Sequence, residues 1–179
     1  MARPALATAA ALLCFVSIPA VHAESDAMRA LAFLEGTWTA AYYAYTETGD
    51  KEPVGNNESV YTRSLDGQLL EESHTVLGSG PAFPMRSFYT WDARKKVYRL
   101  AAVDQNGGMM DIYEGVLIGN RLVMDNLAHK TFYATADGSE MAFRLNWTFV
   151  SDESVDLRVE MSLDQGQSWR DMTFVEMRR

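Results

Sequence analysis

Acid–base chemistry at a protein site needs one titratable group held out of water within reach of another. In this chain the carboxylates that could serve are Glu71, Glu72, Asp104, Asp111 and Glu114. Most of them read as outward-facing sheet charges, which keep strand edges from pairing and the protein in solution. Glu114 stands apart, because Met110, Ile112 and Val116 at the same parity are apolar. A carboxylate on that face would be partly buried and would require a partner such as Arg86, Arg99 or Arg144. His74 and His129 are accompanied by no His-x-His, His-Glu-x-x-His or cysteine pattern, so no metal site is expected. His129 follows an apolar strand, but Ala128-His129-Lys130 has the character of a turn. A haem held through that His is therefore disfavoured against a solvated or hydrogen-bonded surface His, and no cofactor is expected. A Gly-x-Ser-x-Gly elbow, a phosphate loop and clustered methionines are all missing, which removes the usual support for hydrolase, kinase and copper readings.

The aromatic residues say more. Phe88, Tyr89, Trp91, Tyr98, Tyr113, Phe143, Trp147 and Phe149 fall on neighbouring strand candidates, where they either fill a core or wall a pocket for an apolar molecule. Alternation along 143–149 points Phe143, Leu145, Trp147 and Phe149 inward and Arg144, Asn146 and Thr148 outward. The expected ligand-binding set is Tyr89, Trp91, Trp147 and either Glu114 or Tyr113, according to which face of 110–116 is internal. No catalytic residue is assigned. The leading reading is a small hydrophobic or amphipathic ligand held inside. The alternatives are an enzyme using an internal carboxylate and arginine, and a solid-core scaffold that binds protein on its surface.

The elements that must position these residues are strands. From Trp38 onward short alternating runs follow one another, most clearly in Val155 to Leu163, and each must bury one face. Candidates run 37–46, 57–64, 68–77, 85–91, 97–104, 110–118, 121–127, 131–135, 141–150, 155–163 and 169–178. Turn residues that tolerate positive φ separate them, at Leu65-Asp66-Gly67, Gly119-Asn120, Asp137-Gly138 and Gln165-Gly166. Two segments, 49–56 and 78–84, read as long irregular loops over a mouth. With short connections and no crossover helix, the pattern predicts an all-β fold: an antiparallel up-and-down barrel of about ten strands. A short helix, capped by Ser25, striped with Met28, Leu31 and Leu34 and ended by Gly36, precedes it.

Residues 1–23 read as a secretory signal, with Arg3 ahead of the apolar Ala5–Ile18 and the small-residue ending Val21-His22-Ala23. The apolar run is too short to span a membrane, and Leu13 before Cys14 does not suit acylation. Cleavage would leave one domain, 24–179, without cysteine, in the periplasm or secreted. The chain carries 16 basic and 24 acidic residues, and loss of Arg3 makes it more acidic still. Nucleic acid and anionic lipid are excluded as partners on that ground; oligomeric state is not legible.

A short helix, Gly36-x-Trp38, then Tyr89-x-Trp91-Asp92, Lys95-Lys96-x-Tyr98, Val103-Asp104, Gly108-x-Met110 and Glu114-Gly115 resemble the bacterial lipocalin-like proteins of unknown function, within the calycin group. The resemblance covers most of 24–179. It implies a closed antiparallel barrel with a helix plugging one end and a terminal basic residue, Arg178 or Arg179, across the Gly-x-Trp indole. It implies no activity.

Overall fold

The computed structural model describes residues 26–78, 80–105 and 108–179. The expected leader at 1–23 and the Ser25 cap lie outside the described residues. One turn of helix, α1 (Asp26–Arg29), and a 3-10 turn, Ala32–Leu34, lead into eleven strands. They are β1 (Gly36–Tyr45), β2 (Lys51–Ser64), β3 (Leu69–Val76), β4 (Phe83–Asp92), β5 (Val97–Asp104), β6 (Met110–Ile118), β7 (Arg121–Asp125), β8 (Tyr133–Ala134), β9 (Glu140–Ser151), β10 (Ser154–Ser162) and β11 (Arg170–Arg178). All pairings are antiparallel. Neighbours in sequence pair from β1 to β7, β7 pairs β9, β9 pairs β10, and β11 joins β10 back to β1. Ten strands thus close a barrel, and β8 is a two-residue flap on β9.

Two sequence expectations need correction. Residues 49–56 are not an irregular loop: all but the first two belong to β2, which pairs with β1 through a bulge opposite Tyr42/Tyr43. Gly55 (φ 159°) lies where the extra residue is absorbed. The strand expected at 131–135 shrinks to β8, because Thr131 is recruited to hold a loop, as described below.

The connections sort by end. Tight turns 65–68, 93–96, 119–120 and 152–153 lie at one end, with the N-terminal helices and the C-terminus; the connections that leave β1, β3, β5, β7 and β10 start from the other. The first end is plugged. Met28, Leu31 and Leu34 are buried against Trp38, which is fully inaccessible and donates its indole N–H to the Leu34 carbonyl at 2.7 Å. Tyr98 donates its hydroxyl to the Ala27 carbonyl at 2.8 Å. The Arg179 guanidinium lies 4.4 Å over the Trp38 ring and bonds the carbonyls of Phe33 and Glu35. Apolar burial and a cation–π contact together fasten the plug. The other end is the mouth.

Candidate functional site

Strand β3 presents Leu70, Glu72 and His74 to the lumen. Leu70 is buried at the plugged side, Glu72 sits mid-strand with 7% exposure, and His74 is one step nearer the mouth. Cross-strand neighbours supply the partners. Tyr61 of β2 faces Glu72 in register and donates its hydroxyl to Glu72 Oε1 at 2.7 Å, while Tyr89 of β4 donates to Oε2 at 2.8 Å. His74 Nδ1 lies 3.2 Å from Oε1, within ion-pair range though not aligned as a hydrogen bond. A carboxylate inside a barrel is thereby enclosed by two phenols and an imidazole.

The electrostatics of this hub follow from its burial. Desolvation alone would raise the Glu72 pKa, but the nearby His74 imidazole and the hydrogen bonds from Tyr61 and Tyr89 outweigh it and hold the carboxyl below its ordinary value. Burial works against charge on His74 as well; Glu72 overrides it and raises the imidazole above 6.5. Burial, then the Glu72 charge, pushes the Tyr61 and Tyr89 phenols well up, and Tyr42 up as well. The hub therefore favours charge on Glu72 and His74 and keeps the phenols neutral. An apolar cluster of the same volume would stabilise the barrel at least as well, so the pair points to a task other than packing.

The residues singled out from sequence are dispersed. Tyr89 and Trp147 meet edge-to-face in the lumen with centroids 5.9 Å apart, and Tyr61 stacks obliquely on Tyr89 at 6.4 Å. Trp91 lies at the plugged end against Tyr98, 5.0 Å away, on the rim of a hollow of about 220 Å³ that also includes Lys96, Val116 and Leu117. Tyr113 is the inward member of the Tyr113/Glu114 alternative. Its hydroxyl bonds Asp111, which also holds Thr131 and Asn126. Asn126, fully buried, donates to the Thr131 carbonyl and accepts from the Phe143 amide. This clasp fixes the loop after β7 across the barrel wall.

Glu114 faces outward. It meets Arg99 at 2.7 Å, Lys95 at 2.9 Å and His129 Nε2 at 2.9 Å. Of the suggested partners it finds Arg99, whereas Arg144 pairs with Glu160 at 2.6 Å. Hydrogen bonding from Lys95 above all, then from His129 and the charge of Arg99, brings its pKa to about 2. The apolar row that suggested burial is the exposed one: Met110 is 52% and Val116 41% accessible. The reversal has a steric cause. Gly115 on the inner row approaches β7 so closely that a Cβ would fall 1.9 Å from the Val123 carbonyl oxygen, leaving that row to Asp111, Tyr113, Gly115 and Leu117.

Sequence reasoning placed Glu72 among the sheet charges. Its parity was hidden because Leu69 and Leu70 are both apolar, so β3 reads equally well in either phase; only Tyr61 and Tyr89 on the flanking strands could have hinted at a shared acceptor. The strand 143–149 alternates as its pattern predicts: Trp147 is buried, Phe143, Leu145 and Phe149 pack on the core, and Arg144 and Asn146 share Glu160 on the outside. Those two also line a shallow outer groove of about 400 Å³ with Ile118, Arg121, Val123 and Arg158. Among the described residues no group of three or more His, Cys, Asp or Glu could hold a metal, and no helix is long and apolar enough to cross a membrane.

A family model described as protein of unknown function (DUF1579) matches residues 24–179. The solved structures include a similar chain, Rv2717c from M. tuberculosis, at TM-score 0.62 and 15% identity over 87% of this chain and 98% of that one. At that identity the likeness shows the barrel alone. No curated protein matches.

Proposed function

The chain belongs to the DUF1579 family of proteins of unknown function, a membership that carries no activity with it, and from its own residues we propose that it is an exported, lipocalin-like carrier of one small hydrophobic or amphipathic molecule. We place the seat on the mouth side of the hub, where the inner rows of β1 to β4 carry Tyr42, Asn57, His74 and Met85. The observation that carries this reading is Glu72, buried among aromatic side chains, accepting hydrogen bonds from Tyr61 and Tyr89 with His74 Nδ1 3.2 Å away on the mouth side. Deeper in, Trp38, Tyr61, Tyr89 and Trp147 fill the barrel, so they form the floor of the seat. Aromatic walls with a few converging polar groups are what such a ligand needs.

Titration with the apolar fluorophore N-phenyl-1-naphthylamine tests it. Ala44 follows Ala40 and Tyr42 on the inner row of β1 at the mouth, and Ala44→Trp should block the seat and abolish the fluorescence gain. Arg121→Gln in the outer groove should leave it unchanged. The opposite result would move binding to the outer wall, and no binding by the folded protein would leave a solid scaffold.

A further inference from the structure

The outer wall of β7, β9 and β10 reverses the charge balance of the chain. Acidic residues outnumber basic ones by 24 to 16 overall, yet the outer groove of about 400 Å³ is lined by Arg121, Arg144 and Arg158 with Glu160 as the carboxylate among them. Register explains the clustering. Asn146 of β9 lies opposite Val123 of β7 and Arg158 of β10, while Arg121 lies opposite Thr148, and Arg144 and Thr148 are the outward residues on either side of Asn146. Side chains of one parity on adjacent strands share a face, so three guanidinium groups are gathered around Asn146.

The three are unequally engaged. Glu160 accepts from Arg144 Nε and from Asn146 Nδ2, both at 2.6 Å, and the Trp169 ring lies 4.4 Å from the Arg144 guanidinium, which holds that side chain in place. Arg158 meets Asp171 only at 3.7 Å with both side chains partly exposed, a weak pair. Arg121 has no ion pair or hydrogen bond among the described residues. The neighbouring carboxylates are occupied elsewhere, Asp156 by Arg178 at 3.0 Å and Asp125 by the Leu127 amide at 3.1 Å. Three arginines against one glutamate leave the groove two positive charges in excess, and Ile118 and Val123 give it an apolar wall. Guanidinium forks match the oxygen edges of carboxylates and phosphates. A carboxylate offers one planar edge and one charge, whereas a phosphate monoester offers three oxygens and nearly two charges, which suits donors arriving from three strands. The net charge of −8 opposes this at long range only, because it is screened within about 10 Å at 0.1 M salt while the arginines act in contact.

We propose that this groove is a second binding site, separate from the lumen, for a small phosphate monoester on an apolar body: Arg121 and Arg158 close on the phosphate from either side of β9, Arg144 supports it from β9 itself, and Ile118 and Val123 lie against the body.

Amide shifts of the isotopically labelled full chain, titrated with 1-naphthyl phosphate, 1-naphthoate and 1-naphthol at about pH 8, where the phosphate is a dianion, test the site. Naphthyl phosphate should shift the amides of β7, β9 and β10 that line the groove in one saturating step. It should bind there at least about tenfold more tightly than naphthoate or naphthol, and at least about fivefold more weakly in Arg121→Gln or in roughly 0.5 M salt. Ala44→Trp, which blocks the lumen seat, should leave it unchanged. Naphthoate as tight as the phosphate overturns the phosphate assignment, and naphthol as tight overturns the role of charge. Both comparisons use the unaltered protein, so they hold whether or not a variant folds. No saturable shift, shifts confined to lumen residues such as His74 and Tyr89, loss of binding in a folded Ala44→Trp, or an undiminished affinity in Arg121→Gln overturns the site itself. None of these outcomes bears on the lumen, whose carrier reading stands or falls with the neutral fluorophore.

Discussion

At the scale of single residues, the charge state of one carboxylate governs the site. The pKa of Glu72 is lowered and that of His74 raised in the folded state, which fixes the sign of the pH dependence. The Glu72 contribution to stability is present above its ordinary value of 4.5 and is lost as pH falls through the lower folded value. That of His74 is complete below 6.5 and is lost as pH rises through the raised one. Urea unfolding between pH 5 and 9 should show stability declining on the alkaline side of 6.5, and Glu72→Gln should remove that decline. A His74 ring that titrates by NMR at or below 6.5 would contradict it. Trp38 sets a second expectation. It is fully buried and carries both the plug and the Arg179 contact, so Trp38→Ala should cost about 3–5 kcal/mol in urea unfolding, and a loss below about 1 kcal/mol would mean that the plug contributes little.

Strand pairs show why parity alone misled at β6. Alternation predicts which residues share a face but not which face is inside, and the usual tie-breaker, that the apolar row is internal, fails here because Tyr113 and Leu117 take the core while Met110 and Val116 stand exposed. Gly115 lies on that inner row at a close lateral approach to the β7 backbone. Gly115→Ala would drive a methyl into the Val123 carbonyl, and the strands must separate to admit it, so a destabilisation of about 1–3 kcal/mol is expected. An unchanged midpoint would show that β6 and β7 admit a methyl at this position without separating. The Asn126 clasp makes a related prediction. Asn126→Leu leaves Asp111 without one donor and the Phe143 amide without an acceptor, and should speed amide exchange through 126–132 more than in β1 to β3. Uniform exchange across both regions would show that the clasp does not hold the loop locally.

Over the whole molecule, ten strands closed on themselves leave no free edge, and the connections divide it into a plugged end and a mouth. That polarity separates the side of the hub proposed above as a ligand seat from the plugged side, where the N-terminal turn is part of the fold. We therefore expect the protein in its native host to begin at Glu24, a position close enough to α1 to keep the plug intact. Recovery of exported protein still carrying Met1 or Arg3 would count against the signal at 1–23.

What the sequence determined by itself was whatever depends on local periodicity and turn chemistry. Period-two runs and positive-φ residues, Asp66 and Gly67, Gly119, Gly138, Gln165 and Gly166, are properties of adjacent residues, and from them the strand count, the antiparallel barrel, the short N-terminal helix and the inward set Trp147, Leu145 and Phe143 were legible. The family resemblance added the plugging role of that helix and the arginine over Trp38, which Arg179, just past β11, supplies. Only the tertiary structure decided which faces of β3 and β6 look inward. Glu72, Tyr61 and Tyr89 stand on three strands and become a site through register, and Glu114 is drawn outward by Lys95, Arg99 and His129 from three other segments. A carboxylate in sequence carries no record of its distant partners. Whether it is a wet sheet charge or a buried hub depends on what the closed barrel brings within 3 Å of it.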